Sequence, residues 1–322
     1  MALTLKDLDL KVSLPKMPPS VPVFELSAPS LDERRPGLEQ LSKHLGLGDL
    51  RAIQLDHALM MAGERGEIEY FYASGGVWAR DAAAAQESPG ELRRWDDIHE
   101  SENGKERRFT LGPDTQSRLI SQARELLQGT GLIGKEVDSE TVELDQVAHL
   151  DGKGQELERG PGQATVKFSY AAEGIPVGGP GAKTLMFAEP ENGNVRFTGA
   201  FHAWRTLGTG HPVKLPPAEK ALAVGLLIDP ELVAYRAAGH KIRITRLDLR
   251  YLALPAFMRQ SHLFPAFQIE GDVSDGKKGS GFRFARFHHA APPAAYAAAS
   301  VYGPYLNVNP DGIAPVSPQR KA

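Results

Sequence analysis

Apolar residues recur along this chain at two spacings, and the change from one to the other marks where helices give way to strands. From Ser30 onward, Leu31, Leu38, Leu41 and Leu45 fall on one helical face, and Gly46 stops the run. Ser30 and Glu33 have the spacing of a capping box, and Pro36 lies early enough to be tolerated. A second helix begins near Asp114 or Thr115, buries Leu119, Ile120, Ala123, Leu126 and Leu127, and ends at Gly129. A third spans Pro217 to Leu227, with proline acceptable in its first turn. Between and after them the pattern reads as strands: 53–60, 67–72, 74–80, 140–150, 164–170, 183–187, 195–205, 241–254, 264–271 and 282–287. In the last of these the arginines are expected to point outward. The charged stretch from Asp81 to Gly112 reads as a loop joining two units.

Turn chemistry is densest between Tyr170 and Arg205. Gly174, Pro176 and the Gly178–Gly181 cluster make a corner, and Asn192-Gly193 supplies the positive φ angles of a tight hairpin. The expected architecture is α+β, with about three tandem units of one helix packed on a small antiparallel β-meander. An N-terminal arm (1–29) precedes a first unit with its polar linker (30–112). A second unit (113–212), a third (213–289) and an Ala/Pro/Gly-rich tail (290–322) follow. The first two units end alike, in Gly-Gly-Val-Trp78-Ala-Arg80 and Gly-Ala-Phe-His-Ala-Trp204-Arg205, a weak internal repeat.

The Tyr170–Lys183 segment, with Gly-Ile-Pro-Val and then Gly-Pro-Gly, resembles the middle strands of the PepSY family, and the Asn-Gly turn and Trp-Arg end fit the strands that follow. Tyr251 to Gly271 is similar to another strand pair of such repeats. The resemblance covers about half of the chain. It implies a PepSY/cystatin-like helix on a small sheet and a non-catalytic role in binding or restraining partners. Those relatives are typically exported or membrane-tethered, whereas no leader or anchor is expected in this chain.

The 322 residues are 41% hydrophobic and 24% charged, as in an ordinary soluble protein, and suggest two or three structural units. With 37 Lys+Arg against 40 Asp+Glu and no basic run beyond pairs, a nucleic-acid partner is not expected. The absence of cysteine excludes disulfides, thiolate metal sites and cysteine nucleophiles. The first ten residues lack the apolar core of a signal peptide, and no apolar run approaches the ~20 residues of a membrane span. A cytoplasmic protein is expected, with export lacking a cleaved leader left open.

Candidate chemistry is sparse. No histidines have metal-ligand spacing, and no metal or cofactor is expected. Ser74-Gly75-Gly76 lacks the flanking pattern of a nucleophile elbow, and Gly178–Gly181 is followed by a strand rather than the helix a phosphate loop requires. An aromatic plane beside a guanidinium can stack a ring or hold an anion, which singles out Trp78, Arg80, Trp204 and Arg205 as ligand-binding candidates. His202, or the Asp56-His57 pair, could serve as acid/base if the protein were an enzyme. The reading favoured is a non-catalytic binding, regulatory or scaffold protein that engages a peptide or protein partner through sheet faces or edges. The alternatives are a cyclase, isomerase or lyase with an apolar pocket for a small hydrophobic ligand, and a structural part of a larger assembly.

Overall fold

A computed structural model describes residues 5–82, 92–103, 106–224, 229–275, 281–291 and 305–306. Strand takes up 52% of them and helix 18%. That balance overturns the expected α+β array of helix-on-meander repeats: the fold is dominated by β-structure, with four helices among the described residues. The chain divides into two units. The first comprises Met1–Ser27, Ala171–Ala182 and Thr206–Ala322, the second Ala28–Tyr170 and Lys183–Arg205, so neither is continuous in sequence.

In the second unit one antiparallel sheet holds, in spatial order, β9 (Val137–Leu150), β10 (Glu156–Ala172), β12 (Lys183–Glu191), β13 (Asn194–His202), β6 (Gly76–Asp81), β5 (Gly66–Phe71), β4 (Ala58–Gly63) and β3 (Arg51–Gln54). Both long helices, α1 (Leu31–His44) and α2 (Pro113–Gln128), pack against one face of it. The two "meanders" read from the sequence are therefore halves of a single sheet, joined where β13 pairs with β6. Because side chains alternate along a strand, Ile68, Tyr70, Val77, Ala79, Val166, Phe168, Met186 and Ala200 form the helix-facing core with Leu38, Leu41, Leu119 and Leu127. Each such leucine contributes about 1.5–3 kcal/mol on burial. The similar endings at Trp78 and Trp204 are not equivalent: Trp78 lies opposite Phe201, and Trp204 falls after β13 ends.

The strands of the first unit are mixed in direction. Here β15 (Lys241–Leu252) pairs with β16 (His262–Ser274), and β16 with β17 (Phe282–His289) and β2 (Ser20–Ser27). Strand β14 (Thr206–Lys214) adds to β2, and β18 (Tyr305–Leu306) to β17. Parallel β1 (Leu8–Leu10) and β11 (Ile175–Gly178) lie against opposite ends of β15. The arm expected at 1–29 thus supplies two strands, and most of the tail at 290–322 lies outside the described residues. Helices α3 (Ala218–Val224) and α4 (Pro230–Ala237) cover β15–β17 through Leu222 and Leu232. Helix α4 has a sequence signal that the periodicity reading passed over: Asp229 caps the N–H groups of Glu231 and Leu232, and Pro230 fills the first turn. Arg286 of β17 does not face outward as expected. It is 4% exposed and bonds Asp229 and Glu231.

The charged segment 81–112 also differs from the expected loop. Its described part forms a hairpin, β7 (Ile98–Asn103) with β8 (Glu106–Leu111), because backbone pairing needs no apolar sequence once Phe109 and Leu111 are buried. Residues 83–91 and 104–105 of it lie outside the described residues.

Two local features held as read. The capping box of α1 is complete, with Glu33 N–H donating to Ser30 Oγ and Ser30 N–H to Glu33 Oε2. Asn192 and Gly193 take φ values of 50° and 78° at the β12–β13 turn. One glycine has a role no motif announced: a Cβ on Gly37 would lie 2.0 Å from the Thr130 carbonyl oxygen, so α1 meets the chain after α2 at backbone distance. Urea unfolding should show Ser30→Ala costing about 1 kcal/mol and Gly37→Ala about 1–3 kcal/mol, with an unchanged denaturant slope in both. A Gly37→Ala protein as stable as the parent would mean that this close approach is absent.

Candidate functional site

The groove of the second unit is built on α1. Where α1 runs beside β4 and β5, it leaves part of the sheet uncovered, and a cavity of about 690 Å³ opens between them. Its apolar surface comes from Leu31 and Leu38 of α1, Leu50 of the following loop, Leu59 and Met61 of β4, and Ile68 of β5. Arg35, Lys43 and Arg65 stand at the rim with Glu39, Asp49 and Ser42. Arg35 reaches Asp32 at 3.6 Å, an exposed pair of little energetic consequence. This combination of apolar floor and polar rim, in this size range, is that of a binding site.

What fixes the wall of the groove is a buried polar cluster at Arg34, one turn from both Leu31 and Leu38 on α1. Arg34, only 9% exposed, donates from one terminal nitrogen to the Gly131 carbonyl and from the other to His202 Nε2 at 3.2 Å. An arginine has no acceptor, so Nε2 accepts, and His202 Nδ1 carries the proton that it donates to Thr184 Oγ1 at 2.8 Å. Thr184 passes its own hydroxyl proton to the Leu132 carbonyl and also bonds the Tyr170 hydroxyl. No carboxylate lies within ion-pair distance of Arg34 among the described residues. Burial holds the His202 pKa well below its usual value, and the Arg34 charge lowers it further. A second proton on that ring would point at a guanidinium. Burial also lowers the Arg34 pKa and raises that of Tyr170. At the start of α1, the Tyr70 hydroxyl donates to the Pro29 carbonyl at 2.5 Å.

The sequence-derived candidates do not converge. His202 is 1% exposed and enclosed in this cluster. Asp56-His57 is not on a strand: it forms the exposed turn between β3 and β4, where His57 approaches Glu69 at 3.6 Å. Trp204 is buried and stacked on Tyr170, with centroids 4.7 Å apart and planes 9° from parallel. Arg205 is 2% exposed. Trp78 lies on the sheet face away from α1, between Phe187 and Phe201, and Arg80 on that face pairs with Glu67 at 2.6 Å. None of the four lines the groove. Of the residues that do, Leu31, Leu38, Leu59 and Ile68 fall in helix and strand ranges expected from the sequence, Leu50 and Met61 fall outside them, and spacing alone marks none of the six as lining a cavity. Among the described residues, no group of three His, Asp or Glu side chains could hold a metal ion, and no helix is long and apolar enough to cross a membrane.

The chain matches no family profile and no curated protein. A crystal structure of an uncharacterised protein from Eubacterium rectale ATCC 33656 superposes with a TM-score of 0.48, at 8% identity over 88% of each chain. A likeness of that size carries no argument here, and neither finding bears on the PepSY resemblance.

The cluster makes a pH prediction. The unfolded His202 takes up a proton near pH 6.5 and the folded one resists it, so stability falls as pH drops below about 6.5, by at most about 1.4 kcal/mol per pH unit for each such histidine. His288 of the first unit, whose pKa burial lowers to about 3, acts in the same direction. Thermal unfolding of His202→Gln between pH 7 and 5.5 should lose part of this dependence, since the Gln amide can accept from Arg34 and donate to Thr184. A variant whose midpoint tracks the parent at every pH would show that His202 protonates freely when folded.

Proposed function

We propose that this is a non-catalytic binding protein whose second unit receives an apolar peptide segment of a partner in the groove between α1 and β4–β5. The observation that carries the reading is the cavity of about 690 Å³ lined by Leu31, Leu38, Leu50, Leu59, Met61 and Ile68, of which Leu31, Leu50 and Met61 stay partly exposed beside a firmly anchored helix. The rim carries both signs of charge, so apolar side chains rather than a single ion pair would dominate affinity. The second unit has 28 Asp+Glu against 20 Lys+Arg, which disfavours a polyanionic occupant. The enzymatic alternative draws no support from His202, held neutral between Arg34 and Thr184, or from Asp56-His57 at an exposed turn. Neither borders the groove.

Peptides selected on the full-length protein from a random displayed library provide the test. Those that bind should lose affinity tenfold or more against Met61→Asp, with an unchanged circular dichroism spectrum. Leu50→Asp, in the loop rather than the sheet, should do the same and guards against a Met61 variant that fails to fold. A selection yielding no binder, or binders indifferent to both substitutions, overturns the proposal.

A further inference from the structure

Strand β3 ends the sheet of the second unit, and among the described residues nothing pairs with its outer side. Which of its backbone groups face outward follows from the register. Leu55 N–H donates to the Ala58 carbonyl, closing the two-residue turn, and pairing then runs Gln54 with Leu59, Ile53 with Met60, Ala52 with Met61 and Arg51 with Ala62. In an antiparallel pair the hydrogen-bonded positions alternate. Ile53 and Arg51 therefore turn their N–H and C=O groups toward β4, while those of Ala52 and Gln54 face away from it. Four backbone groups in alternating donor and acceptor order are thus presented at an open edge. Their chemistry is matched by another extended chain and by little else.

The side chains make the same edge continuous with the groove. Directly opposite partners across the sheet form the row Ala79, Ile68, Met61, Ala52, and two of these, Ile68 and Met61, belong to the groove floor. A chain added beside β3 would turn every second side chain to that face, one of them in the row next to Ala52. The small methyl of Ala52 leaves the flank of Met61 open to a bulky neighbour. On the opposite face the next position lies beside Ile53, which is 48% exposed.

Resting on the groove-binding reading above, we infer that the partner segment binds as an added antiparallel or parallel strand on β3, hydrogen-bonded to Ala52 and Gln54, with alternate apolar side chains extending the groove floor. All four side chains of β3 are exposed, so docking there displaces no core contact. Arg51 tempers the edge against indiscriminate pairing, as charged edge residues do.

The test separates this inference from the reading on which it rests. Proline at position 52 removes an outward N–H but leaves the β3–β4 ladder intact, since Ala52 does not donate to β4. With a library-selected peptide as probe, Ala52→Pro should weaken binding tenfold or more while the thermal midpoint stays near that of the parent. Independently of any variant, N-methylation scanned along the peptide should weaken binding at every second residue. Peptide binding that is lost in Met61→Asp but retained in Ala52→Pro, or that is insensitive to N-methylation at every position, overturns strand addition and leaves the groove standing. Binding unaffected by any of these changes removes both.

Discussion

The second unit is organised around a buried cation whose hydrogen-bond partners are neutral. Arg34 enters the interior from α1, and its charge is spread over a backbone carbonyl and a neutral imidazole instead of a carboxylate. Both terminal nitrogens of the buried guanidinium are bonded while its Nε has no partner, so the arrangement holds together only if the elements that supply those two acceptors arrive in register. Gly131 must turn its carbonyl inward after α2, β13 must present His202 with the correct tautomer, and β12 must place Thr184 to receive the Nδ1 proton. One side chain of α1 thereby ties the helix to the segment after α2 and to two central strands. The Gly37–Thr130 approach on the same helix leaves no room for it to shift.

That anchoring bears directly on binding. A groove whose wall is a helix loses affinity if the helix must be ordered on docking, because ordering costs conformational entropy. Here the wall is held by the capping box, the Tyr70–Pro29 bond and the Arg34 cluster, all at the N-terminal half of α1. The polar network is structural and the surface proposed for binding is apolar, the reverse of the assignment suggested by residue type alone. His202 and Trp204 attract notice in the sequence because histidine and tryptophan are common in sites. In the fold they sit in the most enclosed part of the unit.

A similar division is visible in the first unit. Asp229 caps α4 and also receives the buried Arg286 guanidinium, so one carboxylate fixes both a helix start and its seat on β17. An arginine at alternate spacing with phenylalanines reads as solvent-facing, yet the helix that covers it arrives with its own carboxylates. The period of two told which residues share a face. It could not tell what would cover that face.

The sequence by itself determined the local structure: the cap at Ser30, the ends of α1 and α2, the Asn192-Gly193 turn and the run of most strands. These depend on backbone preferences and side-chain spacing within a few residues, which are written directly in the chain. Only the tertiary structure decided that the strands of two sequence segments form one sheet, because strand pairing across a hundred residues leaves no short-range mark. It decided that Arg34 and Arg286 are interior, since their partners come from distant elements, and that Leu50 and Met61 stay partly exposed beside the cavity. Burial is a property of neighbours, and the neighbours are chosen by the fold.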